Sequence, residues 1–128
     1  MRKLLLLTLI TLTACSGKHQ EYRKAEDALD AGREYINACL QGDFARAAFY
    51  AVPDEKNESL LKNIEKSYRE RDKEGRQQLR TASINISEVK ELTDSSTDIH
   101  YNNSSDKEPH ILHIIKRNGE WLVDLGKN

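Results

Sequence analysis

Few residues in this chain have the type and spacing to do chemistry, and the clearest pair is His113 and Asp124. Asn118-Gly119 between them is the strongest short hairpin signal, because a type I′ turn needs positive φ at both positions. A two-residue loop there sets Arg117 opposite Glu120, Lys116 opposite Trp121 and, further along, His113 opposite Asp124. Such a pair would suit acid/base catalysis. An exposed cross-strand ion pair explains it as well and is the expectation, since charge pairs are routine on open sheets. His19 lies in a polar stretch, and His100 and His110 are flanked by polar residues. Cys39 falls on an apolar helical stripe and is expected to be a buried small hydrophobe rather than a nucleophile. No His, Cys or carboxylate set has zinc spacing. There is neither a Gly-rich phosphate loop nor a nucleophile elbow, so no metal and no cofactor is expected.

The other cysteine has a different context. Arg2 and Lys3 precede an apolar run from Leu4 to Leu12, and Leu12-Thr13-Ala14-Cys15 then places small residues before the thiol. The apolar run is about half of the roughly 20 residues a membrane-crossing helix needs, so a cleaved leader is expected instead of an anchor helix. The segment resembles the lipobox of bacterial lipoproteins, in which the cysteine is diacylglycerylated and the preceding peptide removed. The resemblance implies a leader over 1–14, a lipidated Cys15 and a polar tether over 15–22. Two or more acyl chains, palmitate among them, give stable anchoring where one does not. The expected address is the bacterial cell envelope. Ser16, in place of Asp, resembles an outer-membrane signal.

Removing 14 of 128 residues leaves 114, enough for one modest core. The full chain has net charge −1, and losing Arg2 and Lys3 takes it to −3. Its charged residues, 32% of the total, mix both signs without a basic patch, which argues against a nucleic-acid partner. With Cys15 lipidated, Cys39 would be the sole thiol and no internal disulfide could form.

A single α+β domain over 23–128 must position these groups. From Lys24 to Leu40 the apolar residues keep i, i+3, i+4, i+7 spacing, which predicts a helix stopped by Gly42. Asp43 caps a second short helix that Pro53 closes. A third is expected from Glu58 to Gln77, with Glu65–Arg69 and Asp72–Arg76 as i, i+4 pairs on a solvated end. Four strands follow, at Ser83–Leu92, Thr97–Asn102, His110–Arg117 and Glu120–Leu125. In the first, Val89 breaks the parity of Ile84 and Ile86, which predicts a bulge near Ser87 or Glu88.

The hairpin register sorts the last two strands into faces. Trp121, Val123 and Leu125 share one with Leu112 and Ile114, and this is the expected core face; Lys116 can lie along Trp121. Ile111, Ile115 and Leu122 fall on the other face and form a candidate partner surface, including a possible homodimer contact. The triplets at Asn57, Asn85 and Asn103 match a glycosylation sequon and are read as chance.

Two stretches carry a family resemblance. Asp30-Ala-Gly-Arg-Glu-Tyr-Ile-Asn-Ala-Cys-Leu-Gln-Gly-Asp-Phe-Ala-Arg-Ala-Ala-Phe49 is similar to the opening of "domain of unknown function 4878" lipoproteins, where a helix ends in Gly-Asp-Phe or Gly-Asp-Tyr. Asn118-Gly-Glu-Trp-Leu-Val-Asp-Leu125 resembles that family's closing strand. The resemblance implies a cone of the nuclear transport factor 2-like, cystatin-like kind, with helices packed on a curved four-stranded antiparallel sheet. Some proteins of that superfamily are isomerases or dehydratases with an Asp, His or Tyr inside the cone; many others only bind. The leading expectation is a non-enzymatic envelope lipoprotein that binds or scaffolds. A second is capture of a small ligand in a cavity lined by Tyr35, Tyr68, Tyr101 and Trp121. The third is an isomerase or hydrolase using His100, His113 or Asp124.

Overall fold

Among the described residues four α-helices precede four strands, and an aspartate starts each of these helices. The computed structural model of the protein describes residues 21–127. The expected leader, Cys15 and nearly all of the tether lie outside the described residues. Helix α1 (Ala28–Gln41) begins where Asp27 accepts from the Asp30 N–H, later than the periodicity alone predicts. Asp43 caps α2 (Phe44–Phe49), Asp54 caps α3 (Glu55–Glu70) and Asp72 caps α4 (Lys73–Arg80). Each carboxylate satisfies an N–H that the first helical turn leaves without a partner.

The expected third helix is thus two helices. Arg71 is extended, and Asp72 uses its carboxylate on the Gly75 N–H at 2.7 Å instead of on Arg76. Arg76 turns back to the carbonyls of Arg69 and Arg71. The Glu65–Arg69 pair forms at 2.6 Å. Gly42 ends α1 at φ 75°, its N–H shared between the carbonyls of Ala38 and Cys39. Helix α2 stops at Phe49, ahead of Pro53.

Strands β1 (Ile84–Thr93), β2 (Ser96–Asn103), β3 (His110–Arg117) and β4 (Glu120–Val123) form a curved antiparallel sheet in sequence order. The register slips between Ile86 and Glu88, which places the bulge at Ser87. Asn118 and Gly119 both take positive φ, and the β3–β4 ladder has the expected register, with Lys116 opposite Trp121. The Lys116 ammonium sits 5.5 Å from the indole centroid. Strand β4 ends before Leu125 because Asn57, only 1% exposed, draws the chain away. Its carbonyl accepts from the Leu125 N–H at 2.6 Å, and its amide donates to Asp54 and Asp124.

Helix α1 crosses the sheet's inner face. Ile99, Ile114 and Val123 are fully buried beneath it, each contributing about 1.5–3 kcal/mol of apolar burial. Leu112 joins them, so the predicted core face is the real one; Trp121 and Leu125 pack at its margin. Gly32 permits the close approach: a Cβ there would lie 2.6 Å from Ile99 Cδ1 and 3.0 Å from Ile114 Cδ1.

Candidate functional site

Further along α1 the contact with the sheet opens. A cavity of about 220 Å³ lies between the second half of α1, the far end of β2, and the α3–α4 corner. Tyr35, Ile36, Cys39 and Leu40 from α1 form one wall, with Phe44 beside them. Tyr101 and Asn103 of β2 and His110 of β3 form the opposite wall. Ile64, Ser67 and Tyr68 of α3, Arg71 just past its end and Leu79 of α4 surround the mouth. The volume exceeds the roughly 150 Å³ that accepts a benzene ring and falls below the roughly 300 Å³ of small drug-sized pockets.

Inside, the polar groups are neutral. Burial pushes the Tyr35 hydroxyl far above the ordinary phenol range, and its neighbour Cys39 adds to the effect. Burial raises the Cys39 thiol to about 11, although a hydrogen bond with Tyr35 works in the other direction. Tyr101 is pushed up to about 12, by burial first and then by Cys39 and Asp106. At neutral pH these three groups are hydrogen-bonding partners, not anions. Tyr35 is only 4% exposed, and its hydroxyl pairs with that thiol.

The rim is charged. The His110 ring stacks on Tyr101 at 5.1 Å, and its Nε2 lies 3.0 Å from the Asp106 carboxylate. Burial opposes ionisation of Asp106, but the Glu108 N–H, His110 and Asn103 outweigh it and hold its carboxyl below the usual range. The Asn103 carbonyl accepts from the Ser105 and Asp106 N–H groups at 2.9 and 3.1 Å, fixing the loop that presents Asp106.

Three of the four predicted cavity residues, Tyr35, Tyr68 and Tyr101, therefore meet; Trp121 does not. It lies at the opposite end of the sheet, in a separate recess with Leu29 and Thr97. The predicted partner face also changes. Ile111 is 47% exposed and Ile115 half-buried, but Leu122 is buried at 9%. The cause is the chain after α2: Ala51 bridges Val123 in parallel, and the buried Val52 runs alongside β4.

His113 stands opposite Asp124 in the backbone ladder, as expected, with the Asp124 N–H donating to the His113 carbonyl at 2.9 Å. Its side chain pairs instead with Asp98, directly across on β2. The Asp124 carboxylate is occupied by the Asn57 amide and the Gly126 N–H. His100 and His113 alternate with the core-facing residues and so lie on the outer face, away from the cavity. Sequence reasoning missed His110, Asp106 and Arg71. Tyr101 opposite His110 was a usable signal, but the loop over 104–109 has no turn signature that fixes the β2–β3 register.

Among the described residues, no group of three or more His, Cys, Asp or Glu could hold a metal ion. No described helix is long and apolar enough to cross a membrane.

Helices followed by a curved antiparallel sheet with a hollow at one end define a nuclear transport factor 2-like α+β fold. The crystal structure of an NTF-2-like protein of unknown function from Shewanella oneidensis MR-1 is similar, with a TM-score of 0.53. The match covers 74% of this chain and 89% of that one at 14% identity, so the likeness is one of fold. No protein-family profile and no curated protein matches the sequence.

Proposed function

We propose that this chain is a membrane-tethered, non-enzymatic binding module of the bacterial cell envelope, and that it captures a small ligand in the cavity. The observation that carries the reading is the aromatic-walled hollow of about 220 Å³ beside the buried Tyr35 hydroxyl. An apolar pocket with a few convergent polar groups is the usual form of a ligand site. Its Tyr35, Cys39 and Tyr101 stay protonated at neutral pH, which favours binding over nucleophilic or general-base chemistry. The tether rests on Leu12-Thr13-Ala14-Cys15 and its likeness to a lipobox, and an outer-membrane address on Ser16. The two stretches similar to "domain of unknown function 4878" lipoproteins agree with that placement.

Native mass spectrometry of the protein, extracted gently from its own envelope, tests the reading. Acyl chains on Cys15 plus a small non-covalent mass lost on mild activation are expected. A lipidated homodimer, or a complex with another protein, with an empty cavity would move the function to the outer sheet face around Ile111. Labelled palmitate should enter the wild type and not Cys15→Ser; equal labelling would remove the tether. Turnover of any compound that one cavity substitution abolishes would overturn the non-enzymatic reading.

A further inference from the structure

We infer that the cavity takes a small amphipathic anion, its single ring or short branched chain buried against the tyrosines and its carboxylate held at the mouth by Arg71. The inference rests on the cavity reading and adds the ligand's chemical class. Size sets the first limit, since about 220 Å³ holds little more than one substituted ring. The walls set the second. Tyr35, Tyr101, Phe44 and Leu79 offer ring faces and aliphatic surface, and the two tyrosines add neutral hydroxyls to it.

Charge sets the third. At the mouth the Asp106 carboxylate faces His110 at 3.0 Å, within ion-pairing distance. Arg71, in contrast, has no carboxylate at ion-pairing distance among the described residues. The same holds for Arg76 and Arg80, which share a neighbouring recess with Tyr68. These two donate only to neutral acceptors. Arg76 binds the carbonyls of Arg69 and Arg71, and Arg80 contacts the Tyr68 hydroxyl and the Gln77 amide oxygen, both at 3.3 Å. One unpaired guanidinium at the mouth, with two more in the adjoining recess, favours an anion over a neutral or cationic guest. The break between α3 and α4 creates this arrangement, because α3 ends at the mouth with Arg71 extended.

Titration of the purified protein with benzoate, benzamide and benzylamine, followed by calorimetry and amide NMR, separates the two readings. Benzoate is expected to bind about three- to tenfold more tightly than benzamide, with benzylamine weakest, as befits a half-solvated charge contact. Arg71→Gln should erase the benzoate advantage over benzamide, while Tyr35→Phe should weaken both. Equal binding of benzoate and benzamide, or an advantage that survives Arg71→Gln, would overturn the anion and leave the cavity reading standing. Failure of all three probes to bind or to shift the Tyr35 and Tyr101 signals would overturn both.

Discussion

The two halves of the α1–sheet contact are built from one helix and one sheet face, yet one is filled and the other hollow. In the first half, Ala28, Ala31 and Gly32 let α1 settle onto Ile99, Ile114 and Val123, which have almost no exposed surface. In the second, Tyr35 and Cys39 face Tyr101 across a gap that the α3–α4 corner covers only in part. Small helix residues over branched aliphatics interdigitate; rigid rings facing rings hold the walls apart.

The largest effect should come from the filled half. Ile114→Ala removes a fully buried side chain beneath Gly32 and should cost about 2–5 kcal/mol, read by urea unfolding. A cost near that of a surface change would show that this half is as loose as the other. Asn57→Ala comes next. It deprives the Leu125 N–H and the Asp54 and Asp124 carboxylates of their shared partner and should cost about 2–3 kcal/mol. The same change should speed hydrogen exchange at Leu125 before the rest of the sheet.

The filled half was also the legible one. The Asn118-Gly119 turn fixed one register, and alternation along β3 and β4 then assigned Leu112, Ile114 and Val123 to the core. Hydrophobic periodicity carries that kind of information well. The hollow half was legible only in its tyrosines. Asp72 looked like half of an ion pair within one helix and is instead the cap that starts another, so the corner bearing Arg71 was invisible. His113 shows the same limit: the hairpin showed which residue it faces on β4, but its side chain chose Asp98 on the other neighbour. Leu122 went wrong because the passage of 51–52 beside β4 is a long-range event with no local signature.

Gly42→Ala probes the seam between α1 and the mouth. The position has φ 75°, and an added Cβ would lie 2.7 Å from the Tyr68 ring. Backbone strain and displacement of Tyr68 together should cost about 1–2 kcal/mol, read by thermal unfolding. Because Tyr68 is a cavity wall, probe affinity should fall as well. A stability loss with unchanged affinity would show that Tyr68 shapes the helix end and not the site.

The smallest effect is the most discriminating, because it puts a larger side chain into each half. Cys39→Leu adds two heavy atoms where α1 faces the hollow, so it should change stability by less than about 1 kcal/mol in either direction. Ala31→Leu adds three where α1 meets the filled core, and overpacking there should cost about 1–3 kcal/mol. Denaturant midpoints of the two variants compare the halves directly. Cys39→Leu should also weaken benzamide binding, since the new methyl groups occupy the space a ring would take. Equal destabilisation by both variants would mean that the second half is packed in solution, and the comparison from which the site was argued would fall with it.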